Sequence, residues 1–261
     1  MSQIVYVDGV NMSALPYGVR ATVTTLDGWW DSPETRSQSV PRLARGGDFE
    51  APVYDEARFI EFAANIHAPS HESMHKIGMV FTGMFRRNGG RGAFRVDDHW
   101  PGQYQFANVE RASSIRFTPI TDKLARLSMT LKAPDPYKYG IRNEFNGVPG
   151  TAIDIHHDGN AEAWPIFVVS GTFPGGFTVY GSSTAPIAFT DAIWQSAGDV
   201  VTIYSGTGEV YLNGNPAPGG SVGRSTLTSV APSESRRVNV IPHDGANSTA
   251  TYLVRLYDTY I

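Results

Sequence analysis

Cysteine is absent from the 261 residues, which excludes disulfides and thiolate metal sites. Long apolar runs are absent as well. None approaches the ~20 residues that a helix needs to span a bilayer, so no membrane insertion is expected. A dominant charge is also lacking. The net charge of −4 divides unevenly: residues 1–132 hold 15 Lys+Arg against 14 Asp+Glu, and residues 133–261 hold 6 against 11. Neither half is basic enough for a phosphate-binding face, which makes nucleic acid a poor partner. The opening Met1-Ser2-Gln3-Ile4-Val5-Tyr6-Val7-Asp8-Gly9 lacks the basic start and apolar core of a secretory signal. A soluble chain that does not leave by that route is expected.

What is plentiful points to β structure. Gly (27) and Pro (17) supply turns, and Tyr (12) and Phe (13) each outnumber Met (6), a balance that favours strands. Strands are predicted at Ile4–Val7, Val19–Leu26 and Arg58–His67. Between the last two, residues 31–48 carry Pro33, Pro41 and Gly46-Gly47 among polar residues and read as a long loop or arm. One helix is predicted from Ser70 to Arg87. Ser70 offers a cap, Met74, Ile77, Phe81, Met84 and Phe85 recur at helical spacing, and Asn88-Gly89-Gly90 ends it. Strands follow at Ala93–Val96, Gln103–Val109, Ser114–Pro119 and Leu124–Leu131.

The run Ala133-Pro134-Asp135-Pro136-Tyr137 marks a domain break, because two prolines fix φ and stiffen the chain. The expected division is an N-terminal domain over 1–132, a Pro-rich connector over 133–150 and a C-terminal domain over 151–261. In the last of these no helical period survives. Short strand-like runs recur at Thr151–His157, Trp164–Ser170, Gly176–Tyr180, Val200–Tyr204, Glu209–Leu212, Arg237–Ile241 and Thr249–Tyr257. That rhythm predicts an antiparallel sandwich or jelly roll.

Several strings suggest chemistry. His71-Glu72-Ser73-Met74-His75 is a literal H-E-x-x-H, which on a helix sets two imidazoles on one face for zinc with the Glu as general base. A chain of this length and His/Glu content matches by accident on the order of 1% of the time. The pair also sits on the shoulder of the apolar stripe, and no second helix brings a third ligand. The helix-surface reading is therefore preferred. Gly219-Gly220-Ser221-Val222-Gly223 matches G-x-S-x-G, but Asn215-Pro216-Ala217-Pro218 precedes it where a nucleophile elbow needs a strand. Asp154, His156 and Asp158 share one face of a strand and read as solvent-facing. Asp97-Asp98-His99, ahead of Trp100, reads as a polar turn. Trp29, Trp30, Trp100 and Trp194 suit a contact surface and a core equally well.

The junction Leu131-Lys132-Ala133-Pro134-Asp135-Pro136-Tyr137-Lys138-Tyr139 resembles the Asp-Pro-Tyr junction of the distal tail protein (Dit-like) family of long-tailed bacteriophages. Gly159-Asn160-Ala161-Glu162-Ala163-Trp164-Pro165-Ile166, running on to Gly171, is similar to the opening of that family's C-terminal domain. Gly198–Ile203 with Val210–Gly214 is a weaker match, and the closing strand Ala250–Tyr257 also fits. The resemblance implies a mainly β chain: a split-barrel or sandwich-like N-terminal domain with one helix, and a galectin-like C-terminal sandwich. It implies a virion structural protein without cofactor, made in the host cytoplasm. Such a protein forms a hexameric ring that connects tail tube to baseplate or tail tip. On this reading 31–48, with Arg36, Arg42 and Arg45, is a candidate inter-subunit arm. Two other functions remain to be weighed: a zinc-dependent hydrolase using His71, Glu72 and His75, and a carbohydrate-binding module for host-surface glycan.

Overall fold

The structure, a computed structural model, describes residues 3–37, 40–42, 46–49, 52–86, 88–97, 103–173, 175–181, 187–189, 198–217, 222–224, 229–243 and 250–261. The chain divides into two compact units, Met1–Lys138 with Ile261, and Tyr139–Tyr260.

The first unit contains β1 (Ile4–Val7), β2 (Val10–Asn11), β3 (Arg20–Asp27), β4 (Thr35–Ser37), β5 (Val40–Pro41), β6 (Asp48–Phe49), β7 (Val53–Asp55) and β8 (Arg58–His67). Then come α1 (His71–Thr82), the one α-helix among the described residues, and β9 (Arg91–Asp97), β10 (Tyr104–Arg111), β11 (Arg116–Thr121) and β12 (Leu124–Ala133). β8 and β12 form its spine, antiparallel over ten pairs from Arg58↔Ala133 to His67↔Leu124. Alternation explains the pairing: Ile60, Phe62, Ala64 and Ile66 on β8 and Ala125, Leu127, Met129 and Leu131 on β12 are buried. β3 lies on the far side of β8, with a bulge at Val23/Thr25. The other edge of β12 is shared. Its first half pairs with β11 and its second half with β10, so the sheet forks before continuing through β9 and β1.

Helix α1 buries Met74, Ile77, Gly78 and Phe81 against this core. Ser70 caps it, its hydroxyl accepting from the Ser73 N–H at 3.2 Å. The helix stops at Thr82, five residues short of the predicted end. Gly83 takes the C-cap and Phe85 turns left-handed at φ 56°, its N–H donating to Asp8 Oδ2 at 2.7 Å. Met84 and Phe85 are core residues, but a turn buries them where the sequence period suggested a further helical turn.

The second unit holds β13 (Lys138–Gly147, its first residue belonging to the first unit), β14 (Ile153–His156), β15 (Ile166–Ser170), β16 (Phe177–Gly181) and β17 (Ile187–Phe189). It continues with β18 (Val200–Tyr204), β19 (Glu209–Leu212), β20 (Asn215–Pro216), β21 (Val222–Arg224), β22 (Ser235–Pro242) and β23 (Thr251–Tyr260). One sheet runs β13-β23-β15-β18-β19-β20 and the other β14-β22-β16-β17-β21. Phe167, Val169, Val201, Ile203, Val254 and Leu256 from the first meet Ile155, Phe177, Val179, Val238 and Val240 from the second in one core. This is an antiparallel β-sandwich, and the molecule is mainly β. Within 133–150, ten residues form β13, while Pro134–Tyr137 and Val148–Gly150 run without regular structure.

Candidate interaction surfaces

The His and Glu residues of the H-E-x-x-H lie on the exposed side of α1. His71 and His75 stand exposed on the first turns of α1, and His71 Nδ1 lies 3.5 Å from Asp122. Glu72 is held by Lys76, whose Nζ is 2.6 Å from its Oε1. That hydrogen bond, with the attraction between the charges, holds the Glu72 carboxyl below the usual range and raises the Lys76 ammonium. A carboxylate tied to a lysine one turn along is not poised as a base over a zinc-bound water. Among the described residues no group of three His, Cys, Asp or Glu is placed to hold a metal ion.

The other strings fare similarly. Gly219, Gly220 and Ser221 lie outside the described residues, and Val222-Gly223 opens the short strand β21. Asp154 accepts from Nε and Nη2 of Arg237 at 2.9 and 3.0 Å, which lowers its carboxyl. His156 packs edge-on against Phe145, and the Asp158 N–H donates to Asp258. These three residues serve separate local bonds. Asp97 pairs with Arg95, while Asp98, His99, Trp100 and Trp194 lie outside the described residues. Trp29 is fully buried and Trp30 half exposed, so the pair divides between core and surface.

Residues 31–56 hold the most exposed structure of the first unit. β4 pairs with β7 (Thr35↔Asp55, Arg36↔Tyr54, Ser37↔Val53) and β5 with β6 (Val40↔Phe49, Pro41↔Asp48), so the predicted loop is a two-tier ribbon. From Glu34 to Glu56 every residue whose side chain is described is exposed, including Phe49 (58%), Val53 (61%) and Tyr54 (59%). A two-stranded ribbon without a packed face is marginal in water. Arg45 lies outside the described residues. Arg42 stands over the Phe49 ring, 5.4 Å from its centroid.

The root of this ribbon is fastened by two buried cations that the sequence reading missed. Arg58 donates to the carbonyls of Gly28 (2.8 Å), Asp31 (2.5 Å) and Pro136 (2.9 Å). Lys138 donates to Trp29 O at 3.0 Å and sits 5.6 Å from the ring centroids of both Trp29 and Trp30. Burial lowers the basicity of Arg58. Burial, with the repulsion of Arg58, brings the Lys138 ammonium down to about 8. Nothing in residue spacing flags this pair, because its acceptors are backbone carbonyls from two separate segments, 28–31 and Pro136.

A groove lies between α1 and β11, with a volume of about 510 Å³. Met74, Gly78, Met79, Phe117 and Ile120 line it, with His71, His75 and Asp122 also on its wall. A Cβ on Gly78 would come within 2.9 Å of the Phe117 ring, so the glycine lets helix and strand approach. Met79 (57%) and Ile120 (58%) are exposed.

No family model and no curated protein sequence matches the chain. Solved structures do. The Dit (gp 19.1) protein of phage SPP1, described as a paradigm of the hub adsorption apparatus in phages infecting Gram-positive hosts, superposes with a TM-score of 0.72 at 10% identity, covering 100% of both chains. A chain of the phage P2 baseplate in its activated conformation with Ca matches at TM-score 0.55 and 11% identity, covering 98% of each chain. The same baseplate with Sr gives 0.52 at 12% identity and 97% of each. From end to end, the chain has the fold of the phage tail protein Dit.

Proposed function

We propose that this chain is a structural component of a bacteriophage tail tip, a non-enzymatic distal tail protein that assembles with copies of itself and with neighbouring tail proteins. The observation that carries the reading is the full-length likeness to SPP1 Dit. The uncovered ribbon at 34–56 supports it, because such a surface suits a protein that is completed by assembly. In this reading six copies close into a ring, joining the tail tube to the baseplate and serving as an assembly hub. The division of labour places the ring-forming surface in the N-terminal part and a galectin-like sandwich in the C-terminal part. The protein is made in the host cytoplasm and resides in the virion.

Native mass spectrometry of the purified chain tests the ring. Six copies without stoichiometric metal is the expected result. A monomer carrying one zinc would instead return the hydrolase to consideration. Antibody labelling of virions should decorate the tail tip, and labelling confined to capsids would sink the assignment.

A second role for the C-terminal unit is favoured by its exposed aromatics. Trp164 and Tyr204 are each 37% exposed, and Tyr204 meets Tyr211 edge-on at 5.6 Å. Rings presented this way stack on sugar faces. The expected outcome is host-glycan binding on a broad array that Trp164→Ala abolishes; silence of the unaltered protein on such an array would retire this role.

A further inference from the structure

The ribbon and the groove are complementary surfaces on one unit, and both are uncovered. The ribbon presents Phe49, Val53 and Tyr54 to solvent, and each of its aromatics travels with a guanidinium: Arg42 stands over Phe49, and Arg36 faces Tyr54 across the strands. The groove between α1 and β11 presents an apolar floor with Met79 and Ile120 exposed, and a carboxylate, Asp122, at its wall. The Asp122 side chain is itself 87% exposed, and the ion-pair partner it has is His71, which carries charge only when protonated. An aromatic entering the floor would therefore bring a permanent cation towards an incompletely neutralised anion.

We propose that the ribbon of one copy seats in the α1–β11 groove of a second copy, with Phe49 and Tyr54 as anchors and Asp122 receiving a ribbon arginine. The proposal rests on the ring reading above and names the contact that builds the ring. A second copy is the occupant because donor and acceptor surfaces differ and both belong to every chain. Such a head-to-tail contact repeats by rotation and builds a ring where that rotation closes, whereas a self-matching surface would stop at a dimer. The Arg58 clasp contributes by fixing the ribbon's root. The carbonyls of Gly28 and Asp31 on one side and Pro136 on the other hold the strand from which the ribbon departs. A projecting element on a fixed root loses less freedom on docking than one on a loose hinge. That clasp also makes deletion of 31–48 a blunt test, since removing Asp31 would unfasten the root together with the arm.

The chain has no cysteine, so introduced thiols report without background. Tyr54→Cys and Ile120→Cys are made singly, mixed in equal amounts and oxidised mildly; Val53→Cys with Met79→Cys provides a second pair of positions. The mixtures should give disulfide-linked dimers, and a chain bearing both thiols of a pair should give a covalent ladder ending at the ring. Either single variant alone should stay uncrosslinked. A charge reversal gives an independent reading. Asp122→Arg should weaken self-association at least about tenfold, and mixing it with Arg42→Asp or Arg36→Asp should restore assembly. If native mass spectrometry shows a ring while neither thiol pair crosslinks, the docking is wrong and the ring stands. If the unaltered chain stays monomeric and no pair crosslinks, both fall. Crosslinking of Tyr54→Cys to itself would also overturn the docking, because it would mean ribbon meets ribbon.

Discussion

Arg58 opens a strand whose other inward positions are Ile60, Phe62, Ala64 and Ile66, and a guanidinium in that row must find acceptors or disrupt the core. Its Nε and Nη1 find them in the carbonyls of Pro136, Gly28 and Asp31, while Nη2 is buried without a partner. Arg58→Met keeps the volume and strands those carbonyls, so a loss of about 3 kcal/mol is expected in urea denaturation. A loss near zero would mean that water takes over all three acceptors. Gly28 faces a stricter limit. Its φ is +77°, and a Cβ there would lie 1.9 Å from the carbonyl oxygen of Phe59. Gly28→Ala combines left-handed strain of about 1–2 kcal/mol with an overpacking cost of similar size. The same denaturation series should show it at least as damaging as Arg58→Met.

At the level of elements, legibility followed locality. The start of α1 was readable because its signals are adjacent: Ser70 as cap, and Met74, Ile77 and Phe81 at helical spacing. Ser70→Ala should cost about 1 kcal/mol by thermal or urea melting, while Glu72→Gln, which breaks an exposed pair, should leave the melt unchanged. The end of the helix was not readable. Met84 and Phe85 continue the apolar period, yet the chain leaves the helix after Gly83, and the Phe85 N–H is accepted by Asp8, 77 positions away. Long alternating strands such as β8 were plain, since one face had to be apolar. The ribbon strands were not, because a strand pair with no buried face leaves no alternation to detect. β13 was hidden by the prolines before it, and the groove by its assembly from Met79 and Ile120, which lie far apart in the chain. The H-E-x-x-H was legible as a string, but spacing alone does not reveal that Glu72 turns to Lys76.

On the scale of the whole molecule, the two units should respond to alkaline pH in opposite directions. In the first, Lys138 has an ammonium brought down to about 8, against an ordinary 10.5. Between these values the unfolded chain binds a proton that the folded chain does not, so stability rises as pH climbs from about 8 towards 10.5. In the second, burial pushes the Tyr252 phenol up to about 12 from 10, while its hydroxyl donates to Thr151 O at 2.6 Å. Here the folded chain keeps a proton that the unfolded chain releases. The contribution is complete below about pH 10 and is lost as pH rises towards 12. Hydrogen exchange read peptide by peptide at fixed denaturant separates the two. Protection of β8 and β12 should increase up to about pH 10.5 after correction for intrinsic exchange rates, while protection of β15 and β23 should decline beyond pH 10. Lys138→Met should flatten the first trend and leave the second untouched, and Tyr252→Phe should do the converse. Parallel trends in both units would mean that other groups govern the alkaline response and that neither buried side chain titrates as its surroundings require.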